Sequence, residues 1–323
     1  MGCVQRPLLT MMLSPQDTAA ALPYEALTRA ISQVALDDTV DIPPRRILDL
    51  PNGSASPGKF FVMPAVSQAV AITKLISFVA SNAGRGLPTI QGDVVVFDPQ
   101  TGQRRMVLDG PTVTARRTAA VSLLAAQQLA TPLDGPMLVV GAGVQGRSHV
   151  EAFRVGLGVE EVWVASRSAS SAEALAAHAQ TLGMKARVVA DPNAVMGQCA
   201  QVISTTPAQA AVLQAMPREG AFVSAVGAFT PQMLEWSAPV CQALAQVGQL
   251  VVDTRDADHE AGDLLQAGLD VSAMPSLLDV LRQSPRWRQS PKPGPTVMFK
   301  NCGWAGWDLA AAWCALAAMG SSA

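Results

Sequence analysis

The run MLVVGAGVQGRSHVEAF (137–153) takes an apolar strand directly into three glycines and out into a helical pattern. Gly141, Gly143 and Gly146 stand in G-x-G-x-x-G spacing, which acquires meaning only between a strand and a helix of a βαβ unit. Gly141 allows the tight turn, Gly143 lets the backbone approach a pyrophosphate, and Gly146 lets the helix pack closely on the strand. The helix N-terminus adds N–H groups and the positive end of a dipole. The surrounding chain supplies the required context. From 136 to about 256, the apolar runs EVWVASRS, ARVVA, QVISTTP, AFVSAVGAF and QLVVDTR alternate with helical patterns. That alternation predicts a Rossmann-type, doubly wound parallel sheet over residues 118–298, and so an α/β chain.

The end of the second strand selects the dinucleotide. An NAD site places Asp or Glu there, on the ribose hydroxyls. Glu161 opens that strand and lies at the wrong end, whereas the proper end reads Ser166-Arg167-Ser168. One guanidinium and two hydroxyls suit a 2′-phosphate. NADPH is therefore the expected cofactor, with NADH as the alternative, unless Arg167 is only a solvated surface charge. The candidate cofactor contacts are Gly141, Ala142, Gly143, Val144, Gln145, Gly146, Ser166, Arg167, Ser168, Thr205, Thr206 and Val226.

The chain's 323 residues allow two domains. Residues 23–35 read as an amphipathic helix. Residues 40–110 are β-rich and largely antiparallel, with a Pro/Gly/Ser turn at 51–58 and a hairpin around Asp98-Pro99 and Thr101-Gly102. A helix follows over 115–130, with Thr114 as N-cap and Pro132 as stop. The Ala-rich segment near 304–319 reads as a helix that packs back on the first domain. An α+β domain is thus expected over 1–117, completed by residues 299–323.

That domain carries an unusual lysine. In AVAITKLISF (69–78) the strand period of two puts Val70, Ile72, Lys74, Ile76 and Phe78 on one face. Lysine is almost never fully buried unless paired, although its stem can snorkel to water. Arg116 and Arg117 fall in the first turn of the helix predicted after Thr114, where the dipole disfavours cations and an anion is called for. Arg45 and Arg46, after two prolines, are a further pair. Lys74 with one arginine from each pair makes a three-cation pocket suited to a small carboxylate, which arginine grips bidentately. Lys74 is also a candidate proton donor, with water as the alternative. Asp308 is a candidate to orient the site, or a helix-start carboxylate favoured by the dipole. His149 and His259 are candidate acid–base groups.

Net charge is −2 and 15% of residues are charged, with no basic run to suggest nucleic acid. The five cysteines are scattered, which indicates neither a disulfide framework nor a metal site. No stretch reads as a signal peptide or a membrane span. MGCVQR resembles a myristoylation start but has Arg6 where Ser or Thr is expected. A cytoplasmic protein is expected.

The ordered motifs ITKLISF, GLPTIQGDVVVFDPQTG, LDGPTVTARRTAAVSLLA, VVGAGVQGRSHVEAF, VDTRDADHEAGDL and VMFKNCGWAGWDLAAA span nearly the whole chain. Together they resemble the ornithine cyclodeaminase/mu-crystallin family. The resemblance implies a homodimer whose first domain binds substrate and forms the interface, and a second domain that binds a nicotinamide cofactor. It carries the substrate-carboxylate ligands to Arg45, Lys74 and Arg117. One departure matters: in AVGAFTPQMLEW, Phe229 stands where cyclodeaminases carry a catalytic aspartate. The GAFTP version resembles the family's imine reductases, with Phe229 as an apolar wall for the ring. The expected activity is NAD(P)H-dependent reduction of a cyclic ketimine carboxylate, Δ1-pyrroline-2-carboxylate to L-proline, with Δ1-piperideine-2-carboxylate as a second substrate. An open-chain amino-acid dehydrogenase, an ornithine cyclodeaminase and a non-enzymatic NADPH-binding protein stay open at this stage.

Overall fold

The computed structural model describes residues 10–51, 58–130, 133–283 and 294–320. Cys3, the MGCVQR start, most of the 51–58 turn and Pro132 lie outside them. The chain divides into two units, one taking residues up to Arg117 together with those from Ala305 onward, the other Thr118–Trp304.

In the first unit, β1 (Met11–Met12), β2 (Arg46–Leu50), β3 (Gly58–Val66), β4 (Ala71–Phe78), β5 (Ile90–Phe97) and β6 (Arg104–Asp109) form one sheet. Its order is β1-β6-β5-β4-β3-β2. β2 to β6 are antiparallel neighbours, and β1 adds to β6 in parallel. The period-two reading of β4 holds: Ile72, Lys74 and Ile76 are buried. Lys74 stands opposite Met63 on β3 and Val94 on β5. The helices are α1 (Pro15–Ala20), α2 (Tyr24–Leu36), the start of α3 (Gly110–Leu129) and the C-terminal helix Ala305–Gly320. The C-terminal helix packs on α2 and against β3, β4 and β5. It is apolar nearly all round, and Ala305 to Ala312 are all buried.

One boundary departs from expectation. α3 begins at Gly110, not after Thr114. Asp109 is its cap, its carboxylate accepting from the Thr112 N–H at 2.8 Å. Pro111 fits the first turn, where no N–H is needed. Arg116 and Arg117 therefore lie in the second turn, and the dipole argument for an anion there does not apply.

The second unit holds a parallel seven-stranded sheet. Its elements are β7 (Met137–Val140), α4 (Val144–Leu157), β8 (Glu161–Ala165), α5 (Ala169–Thr181), β9 (Lys185–Val188), α6 (Pro192–Val195), β10 (Gln201–Ser204), β11 (Gln209–Leu213), β12 (Phe222–Ala225), β13 (Leu234–Trp236), α7 (Ala238–Val247), β14 (Gln249–Val252), α8 (Gly262–Gln266), α9 (Leu277–Arg282) and β15 (Val297–Lys300). The C-terminal helix of the first unit is α10. The sheet order is β14-β15-β12-β10-β7-β8-β9, while β11 and β13 pair separately. β8 and β9 extend from β7 in one direction and β10 in the other, so the switch point lies between β7 and β10, where doubly wound sheets bind their ligands. β15 corrects the expected boundary at 299: it inserts between β12 and β14, and the return to the first unit comes at Ala305. The core includes Phe153, Phe222, Trp236 and Phe299, all fully buried. No helix among the described residues is long and apolar enough to cross a membrane.

Candidate active site

The first unit builds a buried charge cluster from three distant segments. β4 supplies Lys74, α3 supplies Arg117 and the first turn of α10 supplies Asp308; their side chains are at most 7% exposed. Asp308 divides its oxygens between the cations. Oδ2 lies 2.6 Å from the Lys74 ammonium, and Oδ1 accepts from Arg117 Nε at 3.0 Å. The Arg117 guanidinium still has a buried nitrogen, Nη1, with no hydrogen-bond partner among the described residues. A buried unsatisfied donor on a cation is costly. Arg45, half-buried just ahead of β2, lies 6.0 Å from the centre of the Phe61 ring. It is close enough to act on Lys74 electrostatically. Burial lowers the Lys74 ammonium to about 8, Asp308 opposes that shift, and Arg117 and Arg45 add to it. Three cations against one carboxylate leave the cluster net positive.

Of the other cations considered, Arg46 is exposed on β2. Arg116 is structural: Nε donates to the Leu22 carbonyl at 2.8 Å, and its guanidinium lies 4.0 Å from the centre of the Tyr24 ring. Sequence reasoning did place Arg117 and Lys74 together, but not their shared partner. Asp308 is a helix-start carboxylate, in the first turn of α10, and it is buried. It touches both cations.

In the second unit the glycine loop meets the demands of a dinucleotide. Gly141 has φ +109°, and a side chain there would meet Thr205 Oγ1 at 2.6 Å. A Cβ on Gly146 would sit 2.1 Å from the Gly141 carbonyl, so α4 approaches β7 closely only with glycine there. Gly143, the N-cap of α4, supplies no side-chain cap and has open space where a Cβ would be. Ala142 is half-buried, and Val144 is 69% exposed at the helix mouth. The residues present thus fit a pyrophosphate at α4, with Gln145 in the same first turn. Thr205 donates to the Gly141 carbonyl at 3.0 Å, tying the loop after β10 to the glycine turn. Val226 follows β12, buried, and bonds to the Ser204 carbonyl at 2.9 Å. At the end of β8, Ser166 is half-buried and Arg167 exposed. Ser168 caps α5, accepting from the Ser171 N–H at 3.3 Å, so its hydroxyl has a structural duty too. Glu161 accepts from the Trp163 indole at 2.7 Å, at the far end of the strand.

His149 is held on both ring nitrogens. It is fully buried, with Nδ1 donating to the Gln145 carbonyl at 2.7 Å and Nε2 accepting from Ser122 Oγ at 2.9 Å. Ser122 also receives Ser224 Oγ at 2.8 Å and Asn301 Nδ2 at 3.1 Å. Burial lowers the imidazole to about 4, so it is neutral at ordinary pH. His259 is exposed beside Asp258 on a short 3-10 turn. Phe229 is half-buried in the loop after β12. Sequence reasoning missed a second buried charge cluster, Lys300–Asp263–Glu235. Lys300 in the apolar run VMFK was its signal, the same one that singled out Lys74.

A parallel sheet with a glycine turn beside its switch point defines a dinucleotide-binding protein of Rossmann type. Beyond that class, the chain belongs to the ornithine cyclodeaminase/mu-crystallin family, whose model matches residues 14–320. It is 38% identical over 308 residues, 94% of each chain, to Delta(1)-pyrroline-2-carboxylate reductase 1 of Burkholderia multivorans. It is 37% identical over 299 residues, 91% of each, to the Delta(1)-pyrroline-2-carboxylate/Delta(1)-piperideine-2-carboxylate reductase of Azospirillum brasilense. Its fold matches that of Thermococcus litoralis Delta(1)-pyrroline-2-carboxylate reductase, solved with NADH and L-proline, at a TM-score of 0.86 and 21% identity, covering 96% of this chain and 97% of that one.

Proposed function

We propose that this protein reduces Δ1-pyrroline-2-carboxylate to L-proline, and the six-membered Δ1-piperideine-2-carboxylate to L-pipecolate, with NADPH preferred over NADH. The observation that carries the reading is the buried, unpartnered Nη1 of Arg117 beside Lys74, with Asp308 already holding Nε. The names of the relatives with 37–38% identity over more than nine-tenths of the chain support the same substrate class.

Arg117 and Arg45 bind the imino-acid carboxylate. Asp308 keeps Arg117 and Lys74 in place and offsets part of their repulsion. A ketimine accepts hydride best as its iminium, and Lys74, an ammonium at about 8, supplies that proton to the ring nitrogen. Gly141 to Gly146 and the loops bearing Thr205, Thr206 and Val226 would hold the nicotinamide cofactor, which would supply the hydride. Arg167 pairs with the 2′-phosphate. Phe229 offers the apolar face that a ring of methylenes prefers to a second ammonium group. The active form is a homodimer.

The test is NADPH oxidation with both cyclic imines, with pyruvate plus ammonia, and with ornithine plus NAD⁺ in the reverse direction. Turnover confined to the cyclic imines is expected. Ammonia-dependent reduction of pyruvate as the main activity would instead mark an open-chain dehydrogenase, and tight NADPH binding without turnover a binding protein. Arg167→Ala should weaken NADPH by about tenfold relative to NADH, because only NADPH has the extra charge-assisted contact. Equal losses for both cofactors in a fluorescence titration would remove Arg167 from that role.

A further inference from the structure

Glu235 is fully buried at the middle of β13, and donors surround its carboxylate. Oε1 accepts from the Thr206 N–H at 2.6 Å and from Thr206 Oγ1 at 3.0 Å. Oε2 accepts from the Gly227 N–H at 2.6 Å and from Ser204 Oγ at 3.1 Å. Backbone N–H groups cannot reverse, so each oxygen is an acceptor, which favours the ionised form. Burial pushes its pKa up, and Lys300 pulls the other way. Lys300 is itself anchored 2.7 Å from Asp263 Oδ2, while Asp263 Oδ1 accepts from the N–H groups of Glu235 at 2.6 Å and Trp236 at 2.9 Å. The carboxylate is thus fixed from behind and reaches forward.

What it reaches are two loops. Thr206 belongs to the loop after β10 and Gly227 to the loop after β12, and these strands are neighbours on one side of the switch point. The loops meet so closely that a Cβ on Gly227 would lie 2.1 Å from the Thr206 carbonyl. In a doubly wound sheet the pyrophosphate sits at the helix after the first strand. The adenosine half then lies over the strand on one side, here β8, and the other half over the opposite ends, here β10 and β12. We propose that Glu235 is a positioning residue for the nicotinamide half of the cofactor: it clasps the β10 and β12 loops into one surface and touches no reacting atom. This rests on the cofactor reading above.

Glu235→Gln keeps the shape but turns an NH₂ toward one of the fixed N–H donors, which releases one loop. Binding is measured by calorimetry for NADPH and for adenosine 2′,5′-bisphosphate, which has only the adenosine half. For the variant, NADPH should weaken by about tenfold or more while the fragment stays within about twofold of the unmodified protein. Ser204→Ala removes a hydroxyl bond to Oε2 from a residue outside the candidate cofactor contacts and should give a smaller loss with the same selectivity, so it decides the matter if Glu235→Gln does not fold. Equal losses of NADPH and fragment, or unchanged NADPH affinity in a folded Glu235→Gln, would overturn the proposal. Failure of the unmodified protein to bind either molecule would instead overturn the cofactor reading.

Discussion

At the scale of single residues, two buried bases set the chemistry of pH. Lys74 has its ammonium lowered to about 8 by burial. If it supplies the proton, kcat/KM for imine reduction should fall as pH rises through about 8, the free-enzyme value. Lys74→Arg retains the charge and stays protonated at every working pH, so its activity, lower throughout, should lose that inflection. Lys74→Ala should cost roughly 10²–10³-fold in kcat/KM with NADPH affinity intact, since breaking a buried pair costs about 3–5 kcal/mol. Near-normal turnover by Lys74→Ala would sink the assignment. His149 behaves differently. Its imidazole is lowered to about 4, below its ordinary 6.5, so the unfolded chain binds the proton first as pH falls. The stability from neutral His149 is complete above pH 6.5 and is lost as pH falls through about 4, in all roughly 3 kcal/mol. His149→Asn should be less stable at neutral pH, yet its melting temperature should vary less between those limits. An identical pH dependence in both proteins would refute the neutral-histidine account.

At the scale of elements, α3 teaches the most. Its existence was legible from TARRTAAVSLLAAQQLA, but its start was not. Thr114 looked like a cap, yet Asp109-Gly110-Pro111 is an equally good opening, and a cap contributes only about 1 kcal/mol, too little to stand out from the pattern. Asp109→Ala should accordingly lower stability by about that amount, read as a modest drop in melting temperature; no change would mean that the Thr112 N–H finds another acceptor. The expected start after Thr114 put Arg116 and Arg117 in the first turn, so the dipole argument failed, and the acid that holds Arg117, Asp308, came from a helix the argument did not consider. β7, β8, β10 and β12 were legible because interior parallel strands are nearly continuous apolar runs, and the edge strand β14 is apolar in the same way. β15 was not: VMFK is short and ends in a charge that looks out of place until Asp263, 37 residues earlier, is beside it. For the same reason the glycine loop could be read locally, whereas the clusters around Asp308 and Glu235 could not. Their partners are brought together only by tertiary structure.

For the whole molecule, the family and the residue at 229 together make a prediction that neither makes alone. Cyclodeamination of ornithine needs repeated proton transfers, and a positioned acid–base group typically contributes 10²–10⁴-fold. Phenylalanine supplies none. No detectable proline should form from ornithine with NAD⁺, and Phe229→Asp should lower the reductase rate without creating a cyclodeaminase. Robust ammonia release from ornithine by the unmodified protein would return the chain to the cyclodeaminase branch. The path of the backbone has a consequence for biosynthesis. Arg117 and the carboxylate that holds its Nε are 191 residues apart in sequence, with the whole Rossmann-type unit between them. At a ribosome adding roughly 5–20 residues per second, the interval is on the order of 10–40 s. Throughout it, the nascent first unit contains a lysine and an arginine whose counter-ion has not yet been made. The unit begun first is therefore the last to mature, and any chain released before Asp308 lacks the acid that holds both cations.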